Sequence, residues 1–88
     1  MKAMVLKAPN QPFKMMDVPD PSPSSGEAVA KVISCGAGLT TQHIRAGRTK
    51  VDYPRIIGHE ITAEIVEVGS DVLDLKVGDP VTAYYYLT

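Results

Sequence analysis

Short runs of alternating apolar and polar residues, separated by glycine and proline, make up most of the chain. Residues 2–7 (KAMVLK) read as a strand, closed by the two-proline stretch Ala8-Pro9-Asn10-Gln11-Pro12. Residues 13–18 are predicted to return antiparallel to it. Prolines at 19, 21 and 23 make helix or central strand untenable up to Gly26, so this stretch is expected to be a surface connection. Residues 27–35 alternate most clearly, with apolar residues on both faces, which predicts a strand packed on two sides. Gly36 and Gly38 break that pattern. A short helix is then predicted, with Thr40 or Thr41 as its N-cap, reaching about Ala46 and stopped by Gly47. Residues 56–68 are rich in β-branched side chains, and Gly69-Ser70-Asp71 ends them. Val77-Gly78-Asp79-Pro80 marks a turn, followed by an apolar run that starts at Val81, includes three consecutive tyrosines and ends at Leu87. Five or six short strands and one small helix predict a mainly β fold, a small barrel or sandwich, in a single domain.

The chain has 88 residues, 44% hydrophobic and 22% charged, with a net charge of −1. That balance removes the electrostatic case for nucleic acid or an anionic membrane as partner. One cysteine cannot form an internal disulfide, and there is no C-x-x-C pair for a structural zinc. No apolar run approaches the roughly 18 residues needed to span a bilayer, and the first residues do not read as a signal peptide, so a cytoplasmic setting is expected. Gly36-Ala37-Gly38 lacks the third glycine of a dinucleotide fingerprint, because position 41 is Thr.

Two clusters carry candidate chemistry. Gly58-His59-Glu60 opens a strand with an imidazole beside a carboxylate, two donors that suit a metal ion. Taken alone, G-H-E is better accounted for by an ordinary hydrogen-bonded His. Thr40 and His43 are three apart, so a helical turn puts a hydroxyl and an imidazole on one face, an arrangement able to pass a proton from a buried alcohol to solvent. The bland alternative is a capping Thr and a solvated His. Cys35 has no activating neighbour in sequence and reads as a small hydrophobe rather than a nucleophile. The acidic residues from Glu60 to Asp79 read as a solvated face.

In this order and spacing the motifs resemble the N-terminal part of the medium-chain, zinc-type alcohol dehydrogenases, whose catalytic domain has a GroES-like barrel. The resemblance spans all 88 residues. It rests on the opening Met-Lys-Ala-Met-Val-Leu strand, Gly58-His59-Glu60, the Val66-Glu67-Val68-Gly69 strand end, Lys76-Val77-Gly78-Asp79, and the 21-residue step from Gly38 to His59. It implies a GroES-like partial barrel with one short helix, incomplete at its C-terminal edge, as the N-terminal segment (1–88) of a catalytic domain. The nucleotide-binding domain would lie outside this chain. It implies NAD(P)-dependent hydride transfer between alcohol and carbonyl in the intact enzyme, with the 88 residues inactive alone. Thr40 and His43 fall at the proton-relay places, His59 at a zinc-ligand place, and Glu60 at that of an occasional alternate ligand.

The departures are equally specific. In the family pattern C-G-x-C-x-T-D-x-H the second Cys binds zinc. Cys35 takes the first, non-ligand place, and Gly38, which has no side chain, stands at the ligand place. Thr41 replaces the Asp that orients the ligand His, and Ala63 replaces a glycine. These departures set a zinc-less reductase of the same superfamily beside the zinc enzyme as an alternative. A non-enzymatic GroES-like binding module, such as a chaperonin cofactor, is a further one, against which stands the lack of a long glycine-rich mobile loop. The partners implied are a small alcohol or carbonyl substrate, and either the rest of the parent chain or a second copy covering the strand edge between Val81 and Leu87.

Overall fold

The computed structural model describes residues 1–83. It is mainly β, with elements β1 (Lys2–Val5), β2 (Lys14–Asp17), β3 (Ala28–Gly36), α1 (Leu39–Arg45), β4 (Glu60–Val68) and β5 (Pro80–Thr82). The strands form two sheets, β1-β2 and β3-β4-β5, and neither closes on itself. The chain divides into two compact units. One contains residues 1–20 and 37–58, the other 21–36 and 59 onward.

In the first unit, β1 and β2 pair antiparallel with Lys2 opposite Asp17 and Val5 opposite Lys14, the hairpin that the alternation predicts. Val5 and Leu6 are its buried side chains. Leu6 makes a two-way backbone bridge with Arg55, N to O in both directions at 2.8 and 2.9 Å. That bridge ties the segment before Gly58 to the end of β1 and buries Leu6 completely.

In the second unit β4 is the central strand, antiparallel to both β3 and β5. Ala63 and Ile65, two residues apart and hence on one face, are its buried side chains. Register shifts at Val29/Ala30 and Val32/Ser34 bulge the pairing with β3. The expected two-sided packing of β3 is not found: Val32 is 56% and Ile33 66% exposed. Ile33 lies in one of those register shifts, where alternation no longer dictates which face a residue joins.

The Lys76-Val77-Gly78-Asp79 motif is a tight turn. Asp79 N–H donates to the Lys76 carbonyl at 3.1 Å, and Gly78, the third residue, has φ +97°. Positive φ at that place is the type II requirement, which explains the glycine. The Asp79 carboxylate accepts from the Lys76 N–H at 3.0 Å, which closes the turn from its other end. The Asp79 and Ile65 backbones then meet at 2.9 Å, so the turn hangs directly on the central strand.

Three boundaries differ from those the pattern predicts. The helix is capped by Gly38, with extended backbone (φ −106°, ψ 175°), not by Thr40 or Thr41, which lie inside its first turn. Glycine is tolerated at an N-cap, and the chain here leaves extended geometry one residue before the threonines. β4 begins at Glu60, not at Ile56, because Gly58 turns the chain at φ +144°. The last strand is already paired at Pro80; most of the run that starts at Val81, its tyrosines included, lies outside the described residues. Among the described residues no helix is long and apolar enough to cross a membrane.

Candidate functional site

Thr40 and His43 both lie on α1, in the first unit. Seven residues are too few for a helix to hold by propensity, so its stability comes from its ends. At the C-terminus the carbonyls of Gln42, His43, Ile44 and Arg45 all have partners, the first of them Ala46 N–H at 2.9 Å. Gly47 N–H donates to Ile44 O at 3.1 Å and Arg48 N–H to His43 O at 3.0 Å. With Ala46 as C-cap and Gly47 at φ +79°, this is a Schellman motif, the 6→1 and 5→2 pair of bonds closed through a left-handed glycine. Asn10 N–H donates to Arg45 O at 2.7 Å, and the Tyr53 hydroxyl donates to Ile44 O at 3.2 Å. The expected stop at Gly47 is found, and the 9–10 loop and Tyr53 brace it from outside the helix.

The same cap organises the imidazole. Arg48 returns alongside the last turn, and its Nε–H donates to His43 Nδ1 at 2.8 Å. Guanidinium can only donate, so Nδ1 is the lone-pair nitrogen and the proton of the neutral ring is on Nε2. His43 is half-buried, whereas Thr40 is exposed. Sequence reading passed over Arg48. The signal available was its place two residues past the predicted C-cap, opposite the helical residue three before that cap.

His59 and Glu60 lie in the second unit, at the entry to β4. Glu60 pairs with Gly36 in the β3–β4 register, and its side chain folds over that glycine. A Cβ placed on Gly36 would come within 2.7 Å of Glu60 Oε2. Gly36 thus makes the space that the carboxylate occupies. Cys35, next along β3, is exposed, and its Sγ has only a weak 3.9 Å contact with its neighbour's carbonyl.

A catalytic zinc takes three protein ligands and leaves one position open. Among the described residues no group of three or more His, Cys, Asp or Glu side chains is placed to hold a metal. Gly38 offers backbone alone, and its carbonyl already accepts from Gln42 N–H at 3.3 Å. The donors described on this chain, by themselves, do not fit that centre.

Comparison with known proteins agrees with this architecture. Over 91 aligned residues, 99% of this chain, it is 37% identical to L-threonine 3-dehydrogenase of Streptomyces avermitilis, covering 27% of that protein. It is 36% identical to acryloyl-coenzyme A reductase of Metallosphaera sedula, over 98% of this chain and 26% of that protein. An alcohol dehydrogenase of Escherichia coli CFT073, solved in complex with NADH, superposes with a TM-score of 0.80 at 38% identity, over 91% of this chain and 23% of its own. The chain therefore spans about a quarter of the length of the relatives it matches. Residues 24–87 match the alcohol dehydrogenase GroES-like domain, and the chain belongs to that family.

Proposed function

We propose that these residues are the N-terminal segment of a GroES-like catalytic domain in an NAD(P)-dependent alcohol dehydrogenase-like oxidoreductase. The observation that carries the reading is the pair Thr40 and His43, three residues apart on a helix whose end is locked by backbone and side-chain bonds. Three residues is a single helical turn, so hydroxyl and imidazole share a face. Thr40 takes the proton of an alcohol substrate, or returns one to a carbonyl oxygen, and His43 exchanges it with solvent. NAD(P), when bound to the intact enzyme, would supply or accept the hydride. No glycine fingerprint for a dinucleotide is present in these residues, so a domain outside them would hold that cofactor.

The substrate is a small alcohol or carbonyl compound. L-Threonine and acryloyl-CoA, the compounds for which the two relatives are named, are the first to try. A cytoplasmic setting suits such an enzyme and a chain with one unpaired cysteine. Gly38 supports a second reading, a zinc-less reductase of the same superfamily, because it withdraws the thiolate from the ligand place. His59 and Glu60 remain as the donors this chain would bring to a zinc whose other ligands lie elsewhere.

The test is turnover by the intact protein with NAD(H) or NADP(H) and a panel of alcohols, ketones and enoyl thioesters. Thr40→Val should lower kcat roughly 100-fold, the lower end of what a positioned proton acceptor contributes. No nicotinamide-linked turnover across the panel would overturn the proposal. Metal analysis of the same preparation separates the zinc enzyme from the zinc-less one.

A further inference from the structure

We infer that Arg48 is a positioning residue that sets the tautomer of His43, an inference that rests on the relay reading above. Arg48 is held in place by its own backbone, whose N–H closes the Schellman motif on His43 O at 3.0 Å. The motif brings the residue after the left-handed glycine over the residue three before the C-cap, where a hydrophobic contact is common. Here that place carries a polar contact instead, Arg48 Nε–H to His43 Nδ1 at 2.8 Å. One residue thus grips His43 twice, through its carbonyl and through its ring.

The chemical consequence follows from which lone pair is used. With Nδ1 accepting from a group that cannot give up its proton, the neutral ring carries hydrogen on Nε2 and presents that edge as a donor. A proton can enter the ring only at Nδ1, in exchange for the Arg48 bond. Uptake at Nδ1 and release of the Nε2 proton to water leaves the ring neutral with its tautomer reversed; the ring resets when water returns a proton to Nε2 and takes the one on Nδ1, and the Arg48 bond then re-forms. Arg48 therefore favours one starting tautomer, and water carries the protons that restore it.

The test uses the intact protein labelled with 15N, with the ring nitrogens of His43 observed under conditions where imidazole is neutral. The native protein should show the Nε2–H tautomer alone. Arg48→Ala and Arg48→Met, the second keeping most of the stem without a donor, should both bring in the Nδ1–H form and narrow the separation of the two nitrogen shifts. Because the Schellman bonds are backbone bonds, neither variant removes the cap. Both should lower kcat by roughly three- to tenfold, the net scale of one ordinary hydrogen bond, and should add nothing in a His43→Ala background. An unchanged tautomer in both variants, or an equal loss of kcat without His43, would overturn the role of Arg48. His43→Ala with unchanged turnover would instead overturn the relay, and with it the kinetic half of this inference.

Discussion

Gly69 lies directly against the backbone of Ser24 and Ser25: a Cβ on Gly69 would run into both their carbonyl oxygens. Its N–H donates to Glu27 O at 2.7 Å, and Asp71 N–H donates to Ser25 O at 2.8 Å. The proline-rich connection is therefore docked on the end of β4 through a contact that only hydrogen at Gly69 allows. Backbone cannot swing aside as a flexible side chain can. Gly69→Ala is expected to cost about 3 kcal/mol, the upper end of what overpacking at a closed site typically does. Urea denaturation measures it, and a change below about 0.5 kcal/mol would mean the contact yields freely.

Two glycines at positive φ should respond unequally to alanine. At Gly47 (φ +79°) a Cβ would meet Pro9 Cβ at 2.9 Å, whereas at Gly78 (φ +97°) nothing lies within 4 Å. Gly78→Ala bears the conformational penalty alone, about 1–2 kcal/mol. Gly47→Ala adds a clash with the loop that braces α1 and should cost about 1 kcal/mol more. Equal costs in thermal denaturation would remove Pro9 from the account of the helix stop.

Glu27 gives stability an acid-side dependence. A backbone hydrogen bond from Ser24, then a further side-chain one, hold its carboxyl below the ordinary value, slightly opposed by desolvation. The backbone bond is Ser24 N–H to Glu27 Oε1 at 2.9 Å. A carboxyl with a lowered folded-state pKa adds stability above its unfolded value and loses it as pH falls through the folded one. The native protein should exceed Glu27→Gln in stability near pH 7, by a small margin because the group is fully exposed, and the margin should vanish on acidification below about 4.5. Parallel stability curves for the two proteins down to low pH would show that the turn does not depend on the charge.

How much of this was legible in the sequence depended on the range of the determining interaction. The 2–17 hairpin, the stop at Gly47 and the turn at Lys76 to Asp79 are set by neighbours within a few residues, and alternation or a single glycine announces them. The helix start was misplaced because threonine caps better than glycine by propensity, while the backbone at Gly38 decided otherwise. The docking of Gly69 on Ser24 joins residues 45 apart in sequence and leaves no periodic trace. The Arg48–His43 bond is local, but it exists only once the left-handed turn at Gly47 is formed. Thr40, His43, His59 and Glu60 stood out by residue type and order; their division between two compact units did not.

Zinc affinity should respond to position 38. The backbone there, φ −106° and ψ 175°, suits any residue, so a cysteine enters without conformational strain. A thiolate just before a helix is also favoured by the unpaired N–H groups of the first turn. If Gly38 occupies a lost ligand place, Gly38→Cys adds the missing soft donor to whatever His59 and the rest of the intact protein supply. Zinc affinity in a competitive chelator titration should then rise by more than roughly 100-fold, since adding a direct ligand exceeds the 10–100-fold typical of its supporting partners. The control is His59→Ala in the Gly38→Cys background, which should return affinity to the starting level if both residues bind one ion. An affinity that does not change with Gly38→Cys would remove position 38 from the ligand set. Zinc held in the unmodified protein by Cys35 and His59 would place the ligand cysteine three residues earlier than the family pattern does.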